Sequence, residues 1–168
     1  ASHRSLAFEL IGVPGVHIRM NPAIVEDVFE SLLRNAVENT PDEGLIQVVL
    51  ESIHQTCILK ICDFGVGIIE ENKKYLFEGL FYTQETEFYS SKRPYDFNAG
   101  GKGLDLFRIK IYAQRFGFDV SMESRRCIYI PEPLDNCPGK ISLCIHCKTP
   151  EDCLSSGGSV FKISFKAD

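Results

Sequence analysis

Four stretches of the 168-residue chain carry residues whose types and spacing could do chemistry. In Ser31-Leu32-Leu33-Arg34-Asn35-Ala36-Val37-Glu38-Asn39, polar residues recur at Ser31, Asn35 and Asn39. Residues four apart share a helical face, so these three form a row. An Asn amide oxygen is a hard, neutral ligand that suits Mg²⁺, an ion that keeps several waters and takes further ligands from phosphates. A solvated helix face has the same appearance. In Asp63-Phe64-Gly65-Val66-Gly67 a carboxylate closes an apolar run and two glycines follow. The acid can accept a hydrogen bond from a buried donor such as an adenine amino group, and the glycines admit close approach or positive φ. A plain turn also uses Asp and Gly. Ala99-Gly100-Gly101-Lys102-Gly103-Leu104 is a glycine-rich loop running into a helical pattern. Free backbone N–H groups at a helix start make an anion site, and Lys102 adds a full charge. The GxxxxGK[ST] spacing is absent and no strand precedes the loop, so neither a Walker loop nor a dinucleotide fingerprint is present.

The fourth stretch is the cysteine run Cys127-x9-Cys137-x6-Cys144-x2-Cys147-x5-Cys153, which holds five of the seven cysteines. An odd total with an internal CxxC favours metal or redox chemistry over a disulfide framework. About thirty residues with few apolar side chains cannot build their own core. Four thiolates would close a tetrahedral Zn²⁺ site. The preferred ligands are Cys137, Cys144, Cys147 and Cys153, with Cys127 as substitute. An Fe–S cluster uses the same ligands, and reversible disulfides or reduced thiols in a disordered loop are the other readings.

These residues need elements to position them. Asn21-Pro22 starts a helix whose apolar stripe is Val25, Val28, Phe29, Leu32, Leu33, Ala36 and Val37, ending at Thr40-Pro41. Residues 7–20 read as a strand, a Pro-Gly turn and a second short strand. Strands are expected at 45–51, 56–63, 118–123 and 159–165, and a helix over 103–116 that stops at Gly117. Side-chain alternation sets Cys57, Leu59, Ile61 and Asp63 on one face of their strand and Ile58, Lys60 and Cys62 on the other. Cys57 and Cys62 read as core thiols. Residues 82–100 are an aperiodic loop long enough to carry a function.

Composition bounds the answer. Hydrophobic residues make up 44% and charged residues 24%, ordinary for one globular domain. The net charge of −5 argues against a dedicated nucleic-acid or anionic-membrane binder. No apolar run approaches the roughly 18 residues of a membrane span and no signal segment opens the chain, so the expected location is cytoplasmic.

The blocks gain meaning from their order. An Asn-bearing helix, Asp63-x-Gly65-x-Gly67, a Phe77 and Phe81 pair, a long loop, Gly100-Gly101-Lys102-Gly103-Leu104 and a final Gly157-Gly158-Ser159 follow one another as the N, first glycine, F, second glycine and third glycine boxes. This series resembles the ATP-binding catalytic domain of sensor histidine kinases, in the superfamily shared with type II topoisomerases, a heat-shock chaperone and a mismatch-repair protein. The resemblance covers about residues 16–123 and 157–166 and leaves 124–156 as a cysteine-rich insertion within one domain spanning 1–168.

The resemblance implies a two-layer α/β sandwich of the Bergerat type, a mixed sheet with helices on one face and ATP under a lid formed by residues 82–100. It implies Mg²⁺ at Asn35, adenine at Asp63 with Gly65 and Gly67 lining the base, and Ser159 as support. Asn39 belongs to the same nucleotide site. Gly101, Lys102, Gly103 and Leu104 would meet the phosphates, with Lys92 and Arg93 neutralising charge from the lid. The implied activity is transfer of the γ-phosphoryl group to a His on a separate helical dimerisation domain, then to a response regulator. No phosphoacceptor motif occurs in this chain; His3, His17 and His54 read as structural.

Several positions depart from the family pattern. Ser31 stands where an Asn or Glu is usual, Glu38 where Lys is frequent, Asn39 where an aromatic residue or His is frequent, and Asp105 where Gly is usual. Glu30, Arg34 and Glu38 read as an i,i+4 ion-pair ladder. These departures keep open a second reading, a degenerate nucleotide-sensing module whose cysteines bind metal or sense redox state. A hydrolytic ATPase is disfavoured by the missing acid at position 31.

Overall fold

A computed structural model of the chain describes residues 3–78, 93–99, 104–132 and 135–166. The elements are β1 (Ala7–Gly12), α1 (Pro22–Asn39), β2 (Leu45–Ile53), β3 (Thr56–Asp63), α2 (Glu70–Lys73), α3 (Asp105–Phe116), β4 (Asp119–Arg125), α4 (Pro150–Leu154) and β5 (Gly158–Lys166). The sheet order is β1-β2-β3-β5-β4. β1 runs parallel to β2, and the other neighbours are antiparallel.

Local chemistry sets the helix ends. Asn21 Oδ1 accepts the Ala23 N–H at 3.0 Å and Pro22 occupies the first turn of α1. At the other end Thr40 donates both its N–H (3.0 Å) and its hydroxyl (2.7 Å) to the Ala36 carbonyl, and Pro41 has no N–H with which to continue. α3 stops at Gly117, whose φ of 74° is left-handed.

α1 and α3 lie on one face of the sheet. Val28, Leu32 and Ala36 of α1 and Ile109 of α3 are buried with Ile46, Ile61, Phe161 and Ile163 of the strands. The opposite face is open: Glu51, Lys60, Ser121, Glu123 and Lys162 line it, and Lys60 pairs with Glu51 at 2.8 Å. The result is the two-layer α/β sandwich with helices on one face.

Three expectations change. The second strand anticipated within residues 7–20 does not form: the chain turns at Pro14-Gly15, and beyond the turn Ile18 makes only an isolated bridge before α1. Cys62 stands half-buried on the open face, while Cys57 is in the core. α4 interrupts the cysteine segment, held by a capping box in which Thr149 and Asp152 satisfy each other's N–H groups.

Candidate functional site

The end of β3 and the C-terminal half of α1 bring Asn35, Asn39, Asp63, Gly65, Gly67 and Ser159 together. Asp63 is 3% exposed, and its Oδ1 accepts the Gly65 N–H at 3.1 Å and the Ser159 N–H at 3.2 Å. Its Oδ2 is buried and has no hydrogen-bond partner among the described residues. A buried acceptor left unpaired costs free energy, so this oxygen is set to receive a donor. Burial, opposed by the N–H groups of Gly65 and Ser159, pushes the Asp63 carboxyl up to about 7.

The glycines are packed against backbone. A Cβ on Gly65 would stand 2.0 Å from the Asn39 carbonyl oxygen, and one on Gly67 1.9 Å from that of Arg125. Gly67 also has a φ of 63°. Ser124, which the sequence did not single out, ties the pocket wall: it accepts the Ile68 N–H at 2.9 Å, donates to the Gly158 carbonyl at 3.0 Å and meets Ser159 Oγ at 3.0 Å. Its only sequence signal is a polar residue at the end of an alternating strand.

Along α1, Asn39 Nδ2 donates to the Asn35 carbonyl (2.8 Å) and to Asn35 Oδ1 (3.2 Å), so the two amides form one unit. The expected ladder of Glu30, Arg34 and Glu38 gives way to a cross-helix arrangement. Arg34 pairs with Asp105 of α3. Arg108 reaches Asp27 at 3.1 Å, Asp105 at 3.4 Å and Ser31 Oγ at 2.9 Å. Asp105 thus sits between two guanidinium groups, and Ser31 serves as an acceptor for Arg108. Glu38 is buried and turned to the 93–99 segment, where Oε1 accepts the Tyr95 N–H at 3.2 Å. Burial raises its carboxyl above the usual range.

Arg4 was missed, because nothing near it in sequence marks it. Its side chain is 4% exposed. It donates to Asp42 (2.7 Å) and to the carbonyls of Val37 (3.0 Å), Thr40 (2.7 Å) and Tyr95 (2.8 Å). A cation at the carbonyl end of α1 also suits the helix dipole. Arg4 therefore fastens the 93–99 segment to the helix, helped by His3, 2.6 Å from Asp96.

Leu104 is the exposed residue preceding α3, and Arg93 is exposed with its N–H bonded to Asp96 at 2.9 Å. Lys92, Gly101, Lys102 and Gly103 lie outside the described residues, as does Phe81.

Cys127, Cys137, Cys144, Cys147 and Cys153 line one cleft beside Pro41, all as free thiols. Among the described residues no group of three or more His, Cys, Asp or Glu side chains is placed to hold a metal ion. The arrangement expected for a Zn²⁺ or Fe–S site at these five cysteines is thus not found among the described residues.

An orphaned acid at a strand end, facing an Asn-bearing helix across a glycine loop on a mixed sheet, defines an ATP-binding domain of the Bergerat class. Residues 20–167 match the family described as "Histidine kinase-, DNA gyrase B-, and HSP90-like ATPase", and the chain belongs to that family. It is 34% identical over 115 residues to the adaptive-response sensory kinase SasA of Gloeothece citriformis, covering 66% of this chain and 27% of that protein. Its fold is similar to that of full-length ShkA in complex with AMPPNP, with a TM-score of 0.65, 14% identity, and coverage of 100% of this chain and 27% of that one. It is also similar to histidine kinase ThkA in complex with the response regulator TrrA, with a TM-score of 0.59, 18% identity, and coverage of 97% and 34%. The chain thus spans about a quarter of the length of the curated relatives it matches.

Proposed function

We propose that this domain binds Mg·ATP and hands the γ-phosphoryl group to a His on a helical dimerisation domain of the same kinase, from which it passes to a response-regulator Asp. The observation that carries the proposal is Asp63: a buried carboxyl with one oxygen satisfied and the other waiting. An adenine amino group supplies the missing donor. Gly65 and Gly67 line the base from a loop closed against the Asn39 and Arg125 carbonyls, and Ser159 holds the acid in place. The two states of the acceptor agree with this role, since a donor at Oδ2 stabilises the charged form that burial disfavours.

Asn35 offers Mg²⁺ a neutral amide oxygen, oriented by Asn39. Mg²⁺ when bound neutralises charge on the triphosphate oxygens. The residues of this chain bind and orient: by their order in the sequence Gly101, Lys102, Gly103 and Leu104 are assigned to the phosphates, and Lys92 and Arg93 to neutralising their charge. In the transfer the bond from Pγ to the β,γ-bridging oxygen breaks, a P–N bond to the acceptor His forms, and ADP leaves. The AMPPNP complex of ShkA and the response-regulator complex of ThkA support this reading by analogy of fold.

The degenerate-module alternative rests on Ser31, Glu38 and Asp105. The geometry weakens it, because Glu38 is turned towards Tyr95 and Asp105 is paired with Arg34 and Arg108. We infer that residues 124–156 are an insertion in a single domain of 1–168. Among the described residues no helix is long and apolar enough to cross a membrane; use of ATP and of a response regulator fits the cytoplasm.

Calorimetric titration with a non-hydrolysable ATP analogue is the direct test. Mg²⁺-dependent binding that is lost in Asp63→Asn supports the proposal, and no binding at millimolar ligand overturns it in favour of the regulatory module. In the parent kinase, phosphorylation should vanish in Asn35→Asp.

A further inference from the structure

The strand pairing places Asp63, Ser159 and Ser124 in one rank across β3, β5 and β4, for Asp63 stands opposite Ser159 and Ser159 opposite Ser124. Residues paired in this way point to the same face. The next rank along that face, Val48, Ile61, Phe161 and Met122, is apolar throughout. On its other side Asp63 is paired with Ile46, which is buried and offers no polar group. The polar support of the acid within its rank therefore comes from Ser159, and behind Ser159 stands Ser124.

Ser124 is half-buried, and its hydroxyl is fully used. A hydroxyl has one proton and two lone pairs. Ser124 accepts the Ile68 N–H at 2.9 Å and donates to the Gly158 carbonyl at 3.0 Å, which leaves its second lone pair for the Ser159 hydroxyl at 3.0 Å. Each partner bears on Asp63. Ile68 ends the loop whose Gly65 N–H is given to Asp63 Oδ1 at 3.1 Å. Ser159 gives its N–H to the same oxygen at 3.2 Å. Gly158 packs so closely that an added Cβ would stand 2.2 Å from the Asp63 carbonyl oxygen. Both donors thus converge on Oδ1, from two segments that Ser124 ties together, and Oδ2 is the oxygen left over.

We propose that Ser124 is a positioning residue for base selectivity: through Ser159, Gly158 and Ile68 it keeps Oδ1 of Asp63 engaged and Oδ2 set to read the 6-amino group of a purine nucleotide. The proposal deepens the nucleotide-binding function given above and rests on it. Without the Ser124 hydroxyl the start of β5 and the loop after β3 lose their common tie, and the acid loses its fixed orientation. Affinity contributed by the amino group then falls, whereas contacts to ribose and phosphates do not depend on that orientation.

The test titrates the whole chain calorimetrically with ADP and with purine riboside 5′-diphosphate, which differs only in lacking the amino group. The parent should prefer ADP by about tenfold or more, the worth of a hydrogen bond to a charged group. In Ser124→Ala and Ser124→Val that preference should fall by about threefold or more, the lower range of couplings between contacting groups, with the affinity for purine riboside 5′-diphosphate within about twofold of the parent. Ser124→Thr, which has the shape of the Val variant and keeps the hydroxyl, should retain the preference. An unchanged preference in the folded Ala and Val variants overturns the proposal, as does a parallel loss of both ligands or a Thr variant that behaves like Val. Ala and Val variants that do not fold assign the hydroxyl to folding and overturn it too. A parent chain that binds both ligands alike, or neither, overturns the adenine assignment at Asp63 and this role with it, so the two failures are told apart.

Discussion

Val66 donates its backbone N–H to the carbonyl of Asn39 at 3.3 Å, fastening the loop that follows β3 to the last residue of α1. The same carbonyl stands 2.0 Å from where a Cβ on Gly65 would lie. The loop that follows Asp63 and the Asn-bearing helix are thus in direct backbone contact.

Gly65→Ala forces the loop away from Asn39. Overpacking of this kind costs about 1–3 kcal/mol, and here the neighbour is backbone that cannot rotate aside. The urea midpoint should fall, and nucleotide-analogue affinity should fall with it even under conditions where the variant is folded. Unchanged affinity in the folded variant would show that the Gly65 contact does not set the pocket.

The Asp63 carboxyl has an ordinary value of 3.8 when exposed and about 7 when folded. Between these values the folded chain holds a proton that the unfolded chain has lost, so stability falls as pH rises through this window and levels off above it. Asp63→Asn keeps an oxygen for Gly65 and Ser159 but does not titrate. The stability difference between variant and parent should grow in the variant's favour by a few kcal/mol between about pH 4 and pH 7. Chemical denaturation of both chains across that range measures it, and parallel curves would refute the assignment.

Asp105 lies between Arg34 and Arg108 at the start of α3. Half-exposed pairs of this type contribute about 0–1 kcal/mol, so Asp105→Asn should lower stability by no more than that. It releases two cations at the start of α3, and Mg·ATP analogue affinity should rise by about threefold, the effect of a modest local charge. A fall in affinity would mean that Asp105 positions the loop.

Arg4→Ala removes four hydrogen bonds, one of them an ion pair to Asp42, from a nearly buried guanidinium. Breaking a buried pair by removing one partner costs about 3–5 kcal/mol. Thermal unfolding should register that loss. Limited proteolysis should also cut first within residues 93–99, because Tyr95 is held from Arg4 and Glu38. Equal stability of variant and parent would show that these bonds are replaced by water.

Much of the site was legible because its demands are local. Asn21-Pro22, the apolar stripe and Thr40-Pro41 delimit α1 within one residue, since capping groups and proline act on their own neighbours. Alternation put Asp63 on the face of Ile61, and that face is the helix-covered one. The second strand after residue 15 failed because a few β-prone residues form a strand only if an edge is available to pair with. The partners of Arg34 and the role of Arg4 were illegible for another reason. An ion pair along one helix can be read from spacing, but the pairs actually formed join residues 71 and 38 apart.

The cysteine run shows where this division falls. By itself the order of residues determined the family, the boundaries of α1 and α3, the placing of Asp63 at a strand end and the clustering of five thiols between β4 and β5. Those properties follow from periodicity, capping and composition, which act over a few residues. Only the tertiary structure decided that Asp63 keeps one oxygen unpartnered among the described residues, that Glu38 faces Tyr95 while Asp105 is held by two arginines, and that Cys127 is tied through its N–H to Val66. Each of these depends on burial and on groups distant in the chain, and the cost of leaving a buried polar atom unpaired exists only once the fold has excluded water from it.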